Sequence, residues 1–271
     1  MMLKPCGVIT LLTDFGLNDP FVGIMKGVIY NINPQAKIVD LTHNIESYSI
    51  RQAALILLAS YKYFSKGTIH VVVVDPGVGG KRKAIAIETT NYYFIGPDNG
   101  VLLPAAKDDG IVKIINLSNK TFFLNPVSYT FHGRDIFAPC AAYLSLGINI
   151  DTFGERLNIG DVEDLSLNII DKYSDHIVAE VIHIDKFGNL VLNVRGEVLL
   201  NRVKFGDLVQ LNVHGREVSV KFVRTFSEVS KHSPCLYIDS FGLLELGVNM
   251  GNAREFFKLN IGDKICLRIK H

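Results

Sequence analysis

The stretch TIHVVVVDPGVGG, Thr68 to Gly80, constrains the fold more than any other. Four consecutive valines leave no polar face, so a strand built from them is buried on both sides and sits inside a sheet rather than at its edge. Such a sheet needs a covering layer on each face, and the flanking segments supply one. GVITLLTDF reads as an earlier strand, after which Asp19 and Pro20 form an N-cap and first-turn pair. Phe21, Ile24, Met25, Val28 and Ile29 then recur at helical spacing. KIVDLTH reads as another strand. Ser49 and Gln52 form a capping-box pattern ahead of a helix through Ala53, Ala54, Leu57, Leu58 and Tyr61. KAIAIETT, YYFIGPD and IVKIINL follow as strands, then a helix over about 135–146 ended by Gly147. Strand and helix patterns in alternation predict an α/β domain over 1–150 with a mostly parallel sheet.

The pattern then changes. Residues 151–174 are polar and irregular and read as a linker. After it, IVAEVIHID, LVLNV, LVQLNV, VSVKFV, CLYID and KICLRI are short, β-rich and separated by turn residues such as Lys186 to Asn189 and His214-Gly215. That predicts a small all-β barrel over 175–271.

With 271 residues, a net charge of +1 and no run of Lys or Arg, the chain offers no broad basic surface for nucleic acid or a membrane. Its apolar runs are too short to span a bilayer. Cys6, Cys140, Cys235 and Cys266 are scattered with no C-x-x-C pair, so reduced thiols and a cytoplasmic location are expected. The N-terminus reaches Asp14 too soon for a signal peptide.

In an open α/β sheet, ligands bind beyond the carboxyl ends of the strands. Asp14, His43 and Asp75 each follow a strand, so their ends converge on one edge. Singly, Asp14 could close a turn before Gly16, and His43 could be a satisfied helix-entry residue. The glycines after Asp75 do not make a nucleotide cradle, because KRKAIAIETT continues as a strand and offers no helix N-terminus. What remains is an aspartate at a buried strand end with Arg82 near enough to fold back onto it. In TFHGRD, His132 reads equally as a helix-entry residue and as a proton-transfer group, and Asp135 as a first-turn acid. IDKFGN reads as a hairpin turn, and the stretch from Asp239 to Glu245 is also turn-like, although Glu245 beside apolar residues is harder to explain as a turn residue.

Five ordered motifs, LLTDFG, VVDPGVG with Arg82 following, TFHGRD, IDKFGN and SFGLLELGVNMGNA, resemble the family of SAM hydroxide adenosyltransferases, which is related to the fluorinating and chlorinating SAM enzymes. The resemblance covers nearly the whole chain. It implies a catalytic triad of Asp75, Arg82 and His132. It also implies that Asp14 holds the ribose hydroxyls, that Tyr48 and Phe131 wall the pocket, and that Asp185, Phe187, Asn189, Ser240 and Glu245 come from the barrel. Val248 and Asn249 match the stretch that contacts the ligand's far end. A homotrimer with each site shared between one chain's first domain and the next chain's barrel is implied as well. The resemblance implies SAM as the substrate, and neither a further cofactor nor a metal is expected.

Because methionine leaves C5′ as a neutral thioether, no acid is needed at the leaving group. The chemical task is to orient water and take its proton, with Asp75 or His132 as acceptor. The halogenating relatives replace the aspartate and histidine of the triad, so keeping both favours water over halide. A methyltransferase would show a glycine loop running into a helix. A non-catalytic nucleoside-binding module would tolerate loss of Asp75 and Arg82.

Overall fold

The structure is a computed structural model that describes residues 3–172, 174, 176–200 and 202–268. It divides into two compact units, Met1–Ser166 and Leu167–His271.

The first unit holds one sheet. Its strands are β1 (Val8–Thr13), β2 (Lys37–Thr42), β3 (Ile69–Val73), β4 (Ala84–Thr89), β5 (Tyr93–Pro97), β6 (Ile111–Leu117) and β7 (Gly154–Leu157), in the spatial order β2-β1-β3-β5-β4-β6-β7. The four at one side run parallel, and β4, β6 and β7 add antiparallel pairings on the other. Every residue of β3 is buried, as its valine run predicts. Because β1, β2 and β3 are parallel neighbours, with Ile9 opposite both Ile38 and Ile69, their carboxyl ends open on one edge.

Helices α1 (Phe21–Ile32), α2 (Ile50–Ser60), α3 (Leu103–Asp109) and α4 (Ala138–Ser145) accompany the sheet, with α1 packed on α4. The buried stripe of α1 is Val22, Met25 and Ile29, one position round from the expected face, so Phe21 and Ile24 are left exposed. Neither expected cap forms as written. Pro20 rather than Asp19 occupies the N-cap of α1. Ser49 caps α2 without a side-chain bond, and Gln52 instead accepts the backbone N–H of Glu46 at 2.7 Å.

The stretch from Asp151 carries more structure than a linker reading gives it. Phe153 is fully buried, and β7 pairs with β6 from Leu157 opposite Ile114 to Gly154 opposite Leu117. A short, polar edge strand shows no apolar alternation, which is why its sequence reads as loop. The first unit therefore runs on to Ser166.

The second unit is a closed barrel of β8 (His176–Ile184), β9 (Leu190–Arg195), β10 (Leu208–Val213), β11 (Arg216–Phe222), β12 (Pro234–Ile238), β13 (Leu243–Val248) and β14 (Lys264–Arg268), with short helices α5 (Glu197–Leu200) and α6 (Ala253–Phe257). The strand β13 overturns the turn-like reading of Leu243 to Glu245. The turn itself ends at Gly242, where Asp239 Oδ1 accepts the N–H groups of Phe241 and Leu243 at 2.8 Å each. Leu244, Leu246 and Val248 then point into the barrel core, while Glu245 and Gly247 take the opposite face.

Within β3, His70 is fully buried among Tyr61, Phe64, Tyr92 and Phe94, with Nδ1 2.8 Å from Thr10 Oγ1. Burial lowers its pKa to about 3. A group whose folded pKa lies below its unfolded value of 6.5 contributes stability that is complete above 6.5 and is lost as pH falls toward 3. This one residue should therefore cost about 1.4 kcal/mol per pH unit once the pH is well below 6.5. Urea midpoints measured from pH 7.5 to 5 should fall more steeply for the parent than for His70→Phe, and parallel slopes would count against the assignment.

Candidate active site

Asp75 stands two residues past the end of β3, and the loop after it solves a steric problem. Gly79 has φ +73°, and a Cβ there would lie 2.1 Å from the carbonyl oxygen of Tyr129, so only glycine lets the two backbones pass. At Gly77 a Cβ would lie 3.3 Å from Cγ of Arg82, and its absence makes room for that side chain to fold back. Arg82 does fold back. Its Nε donates to Asp75 Oδ1 at 2.9 Å and its Nη2 to Asp75 Oδ2, a bidentate pair with both side chains nearly buried. The guanidinium also lies 5.5 Å from the centre of the Phe137 ring.

The same Nη2 approaches His132 Nδ1 at 2.7 Å. A guanidinium can only donate, so Nδ1 must be the acceptor, and His132 is neutral with its proton on Nε2. Burial and the neighbouring Arg82 charge both lower its pKa, which keeps it in that form. His132 is held at the head of a π-helical turn, Gly133–Phe137, that runs straight into α4. Such turns are rare and cluster at functional sites. The expected helix over 135–146 is thus present with a wider first turn.

Asp75 and His132 face a pocket of about 400 Å³ that Asp14, Tyr48 and Phe131 also line. Asp14 Oδ2 accepts the backbone N–H of Tyr48 at 2.9 Å. Tyr48 has φ +69° and a side chain 71% exposed at the pocket. His43 supports the floor instead of lining it. It is buried, with Nδ1 2.9 Å from Thr13 Oγ1, and its carbonyl accepts the N–H of Gly16 at 2.7 Å. Asp19 also lines the pocket, a placement that the N-cap reading of its sequence missed. With Asp14 and Asp75 it makes three carboxylates around one cavity, beside the rings of Phe15, Phe21 and Phe131. Arg82 offsets the charge of Asp75, so Asp14 and Asp19 with these aromatic rings are what suit a cationic ligand.

The barrel residues form a separate pocket of about 820 Å³, lined by Phe187, Asn189, Val248 and Asn249 together with Phe226, His232 and Met250. Asp185 acts within its turn. Its Oδ1 accepts the N–H groups of Phe187 and Asn189 at 2.9 and 2.8 Å, and its Oδ2 accepts Asn189 Nδ2 at 2.9 Å. That leaves Asn189 Oδ1 beside Gly247, where a Cβ would approach it to 3.1 Å. Asn249 Nδ2 donates to the carbonyl of Val229 at 2.8 Å. Ser240 and Glu245 do not line this pocket. Ser240 is exposed on the turn before β13, whereas Glu245 is buried and accepts the Tyr237 hydroxyl at 2.6 Å. Burial pushes the Glu245 carboxyl up to about 7.

Known proteins resemble this chain over most of its length. The model of the SAM hydroxide adenosyltransferase N-terminal domain matches residues 9–154, and that of the C-terminal domain matches 179–266. An (R)-S-adenosyl-L-methionine hydrolase from Methanocaldococcus jannaschii is 36% identical over 268 residues, covering 95% of this chain and 94% of that protein. Its namesake from Salinispora arenicola is 35% identical, covering 95% and 96%. A fluorinase from Nocardia brasiliensis is more distant at 21% identity. The crystal structure of an uncharacterized conserved protein from Thermotoga maritima superposes with a TM-score of 0.91 at 37% identity, covering 96% of this chain and 99% of that one. Both domain models match in order and together span most of the chain, and the chain belongs to the SAM hydroxide adenosyltransferase family.

Proposed function

We propose that this protein hydrolyses S-adenosyl-L-methionine to adenosine and methionine, with the Asp75–Arg82–His132 arrangement as the reacting centre. The observation that carries this reading is the shared guanidinium. Arg82 holds Asp75 and His132 at once, and the bond to Nδ1 leaves His132 with an N–H to give and Asp75 as the only anion of the three. A water between them would accept the Nε2–H of His132 and donate to the Asp75 carboxylate, directing a lone pair at C5′. As the C5′–O bond forms, the C5′–S bond breaks, its electron pair passes to sulfur, and the water's proton goes to Asp75 and then to solvent. Methionine leaves as a neutral thioether.

In this reading Asp14, Asp19 and the aromatic wall receive the sulfonium end and the ribose, and Asn189 with Phe187 and Phe226 receives the base. Each pocket has exposed apolar side chains in its rim: Tyr48 at one, Phe187 and Met250 at the other. These rims support a homotrimer in which one chain's first unit meets the barrel of the next. An intracellular substrate and four unpaired cysteines support a cytoplasmic setting.

The curated relatives carry (R) in their names, so the (R) configuration at sulfur is the expected preference here. The test is to incubate each sulfonium epimer with the protein in oxygen-18 water and to weigh the products. Labelled adenosine plus methionine, faster from the (R) epimer, is the expected result. S-adenosylhomocysteine would instead show methyl transfer, unlabelled adenosine would exclude attack by water, and no turnover would leave a binding protein.

A further inference from the structure

Phe15, Phe21 and Phe131 pack as a closed triangle, with ring centres 5.7, 5.8 and 5.3 Å apart and every pair tilted or edge to face. All three line the pocket of the first unit. The triangle is braced from outside the lining. The guanidinium of Arg134 lies 5.4 Å from the centre of the Phe131 ring. Phe131 precedes the turn, and its carbonyl accepts the backbone N–H of Arg134 at 3.2 Å, which keeps the two residues close.

Arg134 is in turn fixed by Asp135, whose side chain is almost wholly buried. Arg134 Nε donates to Asp135 Oδ1 at 2.5 Å and Nη2 to Oδ2 at 2.9 Å. Asp135 Oδ2 also accepts the N–H of Ser128 at 2.8 Å, and the Asp135 carbonyl accepts the N–H of Leu124 at 2.9 Å, which ties the approaching loop to the same point. An exposed ion pair would be worth little and would leave the arginine free to wander. Here the carboxylate is buried and bidentate, so the fork is pinned over the ring.

We propose that Arg134 is a positioning residue for substrate binding, pressing Phe131 into the aromatic wall that receives the sulfonium end, with Asp135 as its anchor. This rests on reading the pocket as the substrate site. His132 takes its aim from Arg82, so the wall and the reacting group have separate supports. Loss of Arg134 should therefore loosen binding without slowing the chemical step.

Arg134→Met should raise KM about tenfold with kcat within about twofold of the parent, and it should also lower the melting temperature, because the buried Asp135 carboxylate loses its partner. Arg134→Lys, which keeps the charge but loses the fork, should fall between. In a Phe131→Leu background the Arg134→Met change should move KM by less than about twofold, because the ring it acts through is gone. A merely structural role would lower the amount of active protein and leave KM alone. A fall in kcat at constant KM, or an undiminished KM effect in the Phe131→Leu background, overturns the proposal. If Arg134→Met does not fold, Arg134→Lys is read in both backgrounds by the same criterion. The affinity for SAM itself, measured by calorimetry in the slow Asp75→Asn background, gives the same comparison without turnover. A parent that binds SAM but does not hydrolyse it thus sinks the hydrolase reading while the test of Arg134 goes on, and a parent that does not bind SAM sinks both.

Discussion

Asp75→Asn is expected to lower kcat by about 10²–10⁴-fold while leaving the affinity for S-adenosyl-L-methionine within a few-fold of the parent. Asparagine keeps the size of the side chain and one oxygen for Arg82, but it cannot take a proton from water. The neutral amide also removes the charge that Arg82 meets through two bonds, while the guanidinium keeps its bond to His132 Nδ1. The pH dependence separates the roles further. His132 works as the neutral Nε2–H form, and burial with the Arg82 charge lowers its pKa below the ordinary 6.5. Activity should hold as pH falls through 6.5 and drop only below it. A parent whose rate halves above pH 6.5, or an Asp75→Asn enzyme with near-parental kcat, would remove Asp75 and His132 from the parts given to them.

The second large effect concerns assembly. Asp75→Ala and Asn189→Ala should each be nearly inactive alone, since one strips the reacting centre and the other the barrel pocket. Co-expressed with different tags and purified as a mixed oligomer, they should recover roughly a quarter of the parental activity. A site drawing its two halves from neighbouring subunits is intact in both only when each contributor carries the other's lesion, one combination in four. An equal blend of the separately purified variants is the control. A mixed oligomer no better than the blend would show that both halves of a site come from one chain, and the hydrolase reading would stand apart from that result.

Much of the site was legible in residue types. Arg82 follows Asp75 by seven positions across a glycine-rich turn, and the close approach of their side chains is confirmed in atomic detail. Asp19 was not legible, because an aspartate before a proline has a sufficient local explanation as a helix start, and only the placement of α1 against the strand ends turns it to the pocket. Glu245 stood out in the sequence, but the element that carries it did not. Its turn-like surroundings hid a strand, and period-two alternation then buries its carboxyl against Tyr237 rather than at the barrel pocket. The edge strand Gly154–Leu157 carries no apolar pattern because it has one neighbour and a solvated face.

What the sequence determined by itself is whatever depends on local periodicity and on the order of short motifs: an α/β unit built round a doubly buried strand, a barrel after it, and the family that those motifs resemble. Only the tertiary structure decided how those residues bear on one another. That Arg82 reaches two partners at once, and so assigns the proton on His132, depends on bringing positions 75, 82 and 132 within hydrogen-bond distance. That Arg134 braces Phe131 depends on a π-helical turn whose register no hydrophobic pattern encodes. Hydrogen-bond direction and ring contact are set within a few ångströms and between distant segments, whereas propensity and periodicity act only along the chain.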